Sequence, residues 1–162
     1  MFRFTIRDVL WLTVVVALCA FGCSNRSDTG VFITSTRFGL VQPDDSILDT
    51  QRISRKPGTV YGWSLQVTPT SGVTRIKEVL TLPEGSKFGP RSKSDPGAIK
   101  IVEYSESEDG REQTEVFEVK TRRTFTVVDR YSVSADDPAG HGVLKLYVNE
   151  VLVMETEFEV ED

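Results

Sequence analysis

From Val31 onward, apolar residues recur at every second position far more regularly than at helical spacing, in short runs bounded by Gly, Pro, Asp or Asn. Tyr61, Trp63, Leu65 and Val67 alternate with Gly62, Ser64 and Gln66 and stop at Pro69, the pattern of a half-buried strand with a strong inward face. Ile76, Leu80 and Leu82 share one face of the next run, which Pro83 ends, and Glu78 lies on that same face, where it needs an edge or a partner. Ile99 to Tyr104 and Val116 to Lys120 flank a polar stretch containing Glu108-Asp109-Gly110, and Asp-Gly between two β-prone runs predicts a hairpin. Phe125, Val127, Tyr131 and Val133 carry the alternation up to Asp136-Asp137-Pro138-Ala139-Gly140, a predicted chain reversal. Leu144, Leu146 and Val148 then share a face, Asn149-Glu150 offers a two-residue turn, and Leu152, Met154, Thr156, Phe158 and Val160 share a face to the end. Asn149 tolerates the positive φ of a type I′ turn, but Glu150 is a poor second residue, so a longer loop is the alternative.

After the leader no stretch of ten or more residues carries a helical stripe. The pattern therefore predicts an all-β domain over residues 31–162, an immunoglobulin-like β-sandwich of about seven to eight antiparallel strands. Two connections, Val41 to Gly58 and Pro83 to Gly97, are long by the standard of compact domains and are expected to be functional or disordered. The closing segment Asp137 to Asp162 has a Asp-Pro-x-Gly turn, an alternating strand, a turn at Asn149 and a last strand ending in Phe158-Glu159-Val160. It resembles the closing hairpin of bacterial immunoglobulin-like accessory domains, a resemblance that implies a fold and transfers no function. Those domains often place an aromatic residue just after the turn, where Gly142 stands here.

Residues 1–22 read as an export leader. Arg3 and Arg7 precede a run from Val9 to Gly22 without a charge, long enough for a signal-peptide core and short for a span of about 20 residues. An uncleaved anchor is the alternative, with the two arginines snorkelling to the cytoplasmic interface. Ala20-Phe21-Gly22-Cys23 resembles a bacterial lipobox, which makes Cys23 the candidate lipidation site. Arg3 to Leu18 is also similar to an N-terminal anchor found ahead of unrelated exported domains. Residues 23–30 would be the tether. The expected location is the outer side of the cytoplasmic membrane, in the periplasm or cell envelope, with the membrane as partner through a lipid or an anchor.

Composition, 39% hydrophobic and 27% charged, is that of a globular chain. Without residues 1–22, which carry Arg3, Arg7 and Asp8, the formal charge moves from −5 to −6, against a nucleic-acid partner. Cys19 and Cys23 both fall in or beside the leader, so the domain has no cysteine for a disulfide, thiolate metal site or nucleophile.

Candidate chemistry is thin. His141 with Asp137 suggests a base and its orienter, but Gly140 and Gly142 place it in an exposed turn. Glu103, Glu106, Glu108, Asp109, Glu112 and Glu115 match no calcium loop and read as a solvated hairpin face. Asp44-Asp45 and Asp136-Asp137 read as turn residues, and Trp63, in phase with Tyr61, Leu65 and Val67, as core in place of a sugar platform. Arg52, Arg55 and Lys56, Arg91 and Lys93, and Arg122-Arg123 form a basic patch only if the fold brings them together. The expectation is a non-enzymatic binding or structural accessory module needing no cofactor or metal, its protein or glycan partner unspecified. The alternative is a small inhibitor or ligand-capture protein presenting residues 41–58 and 83–97 as recognition loops.

Overall fold

The computed structural model describes residues 30–70, 72–88 and 99–162, so the leader, Cys23, Arg91 and Lys93 lie outside the described residues. Ten strands are found there: β1 (Val31–Val41), β2 (Ile47–Asp49), β3 (Arg52–Ser54), β4 (Val60–Pro69), β5 (Thr74–Thr81), β6 (Ile99–Glu106), β7 (Glu112–Val119), β8 (Phe125–Ser132), β9 (Gly140–Val148) and β10 (Val151–Glu161). They form two sheets, ordered β2-β1-β4-β8 and β3-β10-β9-β5-β7-β6, packed face to face as a sandwich of the immunoglobulin-like kind. Eight strands have eight or more residues; β2 and β3 have three each.

Strict alternation sets the inward faces. Trp63, Leu65 and Val67 of β4, Ile76 and Leu80 of β5, and Leu144, Leu146 and Val148 of β9 are fully buried in one core. Burying each such aliphatic side chain contributes about 1.5–3 kcal/mol, and a slip of one residue would turn the whole set to solvent, so register is tightly specified.

The segment from Val41 to Gly58 differs from the long connection expected of it. Its Ile47 pairs with Val41 in one sheet, while its Ile53 pairs in parallel with Val160 in the other. Both isoleucines are buried, so the segment is tied to the two sheets at these two points while the other residues of β2 and β3 stay exposed. Leu152 is a second correction. A bulge between Leu152 and Met154 pairs Leu152 with Tyr147, changes the phase of β10, and leaves Leu152 43% exposed while Phe158 and Val160 face the core.

The last hairpin has a two-residue turn, with Val148 opposite Val151 and positive φ at both Asn149 (47°) and Glu150 (68°). The unfavourable Glu150 is held because Asn149 is clamped to β5: its N–H donates to the Arg75 carbonyl at 2.8 Å, and its Oδ1 accepts the Arg75 N–H at 2.9 Å. Gly142 lies under the ring of Phe158, so a Cβ there would stand 2.2 Å from the ring. The aromatic expected just after the turn is supplied by the neighbouring strand.

The strands define two ends. Val31 pairs with Pro69 at one, beside the β7–β8 and β9–β10 turns; the β1–β2 turn, the start of β4 and the β8–β9 loop lie at the other.

Candidate functional site

Glu78 points from β5 into the core and is 1% exposed. It finds the partner that its sequence position requires in the opposite sheet: Trp63 Nε1–H donates to its Oε2 at 2.7 Å, and the Tyr131 hydroxyl donates to its Oε1. Burial drives the Glu78 carboxyl well above its usual range, the charge of Asp129 and a hydrogen bond to it act the same way, and the Trp63 bond opposes them without prevailing. Burial between the sheets thus favours the protonated form of Glu78. Trp63, itself fully buried, packs edge-on against Phe117 at 6.5 Å, so it is core as its phase implies.

Beside this cluster a cleft of about 700 Å³ opens at the end of the sandwich away from Val31. Six separate segments line it, one of them represented by Val160 of β10. Tyr61 begins the β4 wall, Leu82 to Phe88 follow β5, Gln113 and Glu115 come from β7, Asp129 to Ser134 from the end of β8, and Asp136 to Pro138 from the next loop. Glu115 is 3% exposed and accepts a hydrogen bond from Gln113 Nε2 at 2.6 Å, so it belongs to the cleft wall and leaves the solvated hairpin face to which its charge assigned it. The alternation of Gln113, Glu115, Phe117 and Val119 was the available signal.

Tyr61 is 5% exposed, its ring against Phe38, Tyr131 and Phe158 at 6.3, 5.5 and 5.6 Å. Burial, then the charges of Asp137 and Glu78, push its phenol far above its ordinary range. Asp137 Oδ2 accepts the Ser134 N–H at 2.7 Å, a turn role, and the same residue faces the cleft with Asp136.

The other candidates are dispersed. His141 is exposed on β9 opposite Glu159 and does not line the cleft that holds Asp137. Glu103 pairs with Arg75, Glu106 accepts from Tyr104, Asp109 accepts Ser107 Oγ and the Arg111 N–H, and Glu112 accepts Thr81 Oγ1; Glu108 stays exposed. Asp44 caps Ser46 through N–H and Oγ at 3.1 and 2.6 Å, and Asp45 pairs with Arg130. Arg52 and Arg55 pair with Glu161 and Asp162 near the cleft end, with Lys56 beside them in the chain, whereas Arg122 and Arg123 lie at the opposite end, so the described cations form no single patch.

The fold has a counterpart of known structure. The chain is similar to an immunoglobulin-like protein (PA1606) from Pseudomonas aeruginosa, with TM-score 0.53 and 19% identity over 85% of this chain and 100% of that one. It is more distantly similar to the Pseudomonas fluorescens alkylpurine DNA glycosylase AlkC, at TM-score 0.40 and 12% identity over 98% of this chain and 40% of that one. The human F-spondin reeler domain gives TM-score 0.35 and 17% identity over 86% and 100% of the two chains. Among curated proteins, none matches the sequence. The model of one family, the PM0630 beta sandwich domain, matches residues 28–161, and with ten strands in two facing sheets the chain belongs to that family.

Proposed function

We propose that the protein is an exported, membrane-tethered, non-enzymatic binding module that holds a partner in the cleft at the end of its sandwich, on the outer side of the cytoplasmic membrane. The observation carrying this reading is the cleft's position. Val31 pairs with Pro69 at one end of β4 and Tyr61 lines the cleft at the other, eight residues or roughly 26 Å away at about 3.3 Å per residue. A chain attached through Cys23, or through residues 1–22 as an anchor, would thus present the cleft away from the bilayer. Binding is favoured over catalysis because three of the cleft's charged groups are engaged in holding the fold: Glu115 by Gln113, Asp137 by the Ser134 N–H, and Arg130 by Asp45.

The test is photo-cross-linking in intact cells of the source organism, with a benzophenone side chain placed at Lys87 on the cleft rim or at Arg123 on the other end. Adducts from position 87 and none from 123 are expected. Adducts from 123 alone would overturn the reading.

A further inference from the structure

We infer that the end of the sandwich carrying Val31 is a lipid-contacting face, on which Phe32, Ile33, Val73 and Leu152 meet the bilayer interface and Lys120, Arg122 and Arg123 meet anionic headgroups. The inference rests on the membrane-tethered reading above and goes beyond it, because such a face fixes the orientation of the domain instead of leaving it free on a tether.

Apolar exposure is the first ground. Seven large apolar side chains are exposed among the described residues, and four of them gather at this end. Phe32 (55%) and Ile33 (37%) begin β1, Val73 (44%) sits in the β4–β5 turn, and Leu152 (43%) begins β10. Apolar residues scattered singly over a surface are ordinary, whereas several gathered at one end mark a contact.

Charge is the second ground and is independent of the first. Lys120, Arg122 and Arg123 stand exposed between β7 and β8, and none of the three makes an ion pair among the described residues. Nearby, Lys100 stands opposite Glu118 and Arg75 pairs with Glu103, which leaves Glu150 as the acid facing those three cations among the described residues of this end. The whole chain carries −5, so a basic end is a local departure from its charge. Basic side chains held within a Debye length of an anionic bilayer are attracted to it.

The apolar and basic groups share one surface. Phe32 is paired with Thr68, whose hydroxyl is hydrogen-bonded at 2.8 Å to that of Thr124, the neighbour of Arg123. Two strand spacings of about 4.8 Å, or roughly 10 Å, therefore separate Phe32 from the turn that holds the arginines. The chain enters at the same end, where the Thr70 N–H donates to the Gly30 carbonyl at 2.8 Å. At about 3.5 Å per residue, a chain held at Cys23 places Val31 no farther than roughly 28 Å from its attachment, so this end is within reach of the bilayer. The point of attachment thus selects a membrane as the occupant, and the unpaired cations select anionic headgroups.

The test is fluorescence quenching on the full-length chain reconstituted into vesicles of phosphatidylcholine, alone or mixed with phosphatidylglycerol, with lipids brominated in their acyl chains as quenchers. A coumarin amino acid reports from position 73 at this end or from position 87 on the cleft rim. Quenching at 73 and none at 87 is expected in the phosphatidylglycerol vesicles, weakening as salt rises. Two variants keep the fold. Arg122→Gln combined with Arg123→Gln alters exposed side chains only, since the bond to Thr121 Oγ1 comes from the Arg123 backbone N–H, and Phe32→Ser removes an exposed ring. At about fivefold for each cation near an anionic surface, the double variant should lower the ratio of docked to free domain about twentyfold, and Phe32→Ser should lower it as well. Quenching at 73 that is equal in both kinds of vesicle and unchanged in the double variant would overturn the inference. Quenching at neither position, with the chain still on the vesicles, would overturn it and leave the tethered reading standing. Quenching at 87 in place of 73, or a chain that does not stay with the vesicles, would overturn both. Protein adducts from position 123 in the cross-linking above would give this face to a protein partner and overturn the lipid assignment.

Discussion

Replacing Trp63 by Phe isolates the hydrogen bond that joins the two sheets. The smaller ring still fills most of the site beside Phe117, but the Nε1–H that reaches Glu78 Oε2 at 2.7 Å is gone. An acceptor left unsatisfied in a fully buried position costs about 1–3 kcal/mol, and the lost ring volume adds about 1 kcal/mol. The expected loss is thus about 2–4 kcal/mol, or roughly 8–16 °C in Tm at about 4 °C per kcal/mol for a domain of this size. Denaturant unfolding should give a lower midpoint at unchanged slope. In a Glu78→Leu background the acceptor is absent and the indole N–H is itself orphaned, so the same change should cost about 1 kcal/mol or less, a coupling of about 2 kcal/mol in the double-mutant cycle. Equal losses in the two backgrounds, within about 0.5 kcal/mol, would refute the account of Glu78 as the partner that holds the sheets together.

Gly142→Ala puts a Cβ 2.2 Å from the Phe158 ring and should cost about 1–3 kcal/mol, read by thermal unfolding. The raised Glu78 stabilises the fold fully only below the ordinary carboxyl range near about 4.3 and loses that contribution as pH climbs through its elevated native value, so wild-type Tm should fall with rising pH and Glu78→Gln should flatten that fall. Asp44 and Asp109, both lowered, act with the opposite sign, and their contribution is lost as pH drops below 3.8. Intact-mass measurement of protein extracted from membranes should give a lipid-bearing chain beginning at Cys23, abolished by Cys23→Ser; an unmodified shorter chain, or one starting at Met1, would contradict lipidation.

The parts of the fold legible in the sequence are those in which one face of a strand is wholly buried. In β4, β5 and β9 the period of two leaves a single register that buries the apolar set, so the faces of Trp63, Ile76 and Leu144 follow from spacing alone. Glu78 was visible as a polar intruder on such a face, but its partners lie 15 and 53 residues away in the other sheet, beyond any local pattern. The bulge that exposes Leu152 has no residue signature in an otherwise unbroken alternation. Residues 47–49 and 52–54 are too short to show a period, and their pairing depends on strands more than a hundred residues apart in the case of β3 and β10. Glu150 in a tight turn is explained by the Asn149 clamp on β5, a tertiary bond overriding local propensity. The cleft was hidden for the same reason: Tyr61, Glu115 and Asp137 are adjacent only once the strands have crossed.

The link between the two sheets and the pH response both rest on a buried Glu78 whose protonated form is favoured. Titration of its side-chain carboxyl by ¹³C NMR, assigned through Glu78→Gln, measures that state directly. The account predicts a resonance that does not move through the ordinary carboxyl range and changes only at distinctly higher pH, whereas a midpoint at or below about 4.3 would contradict it.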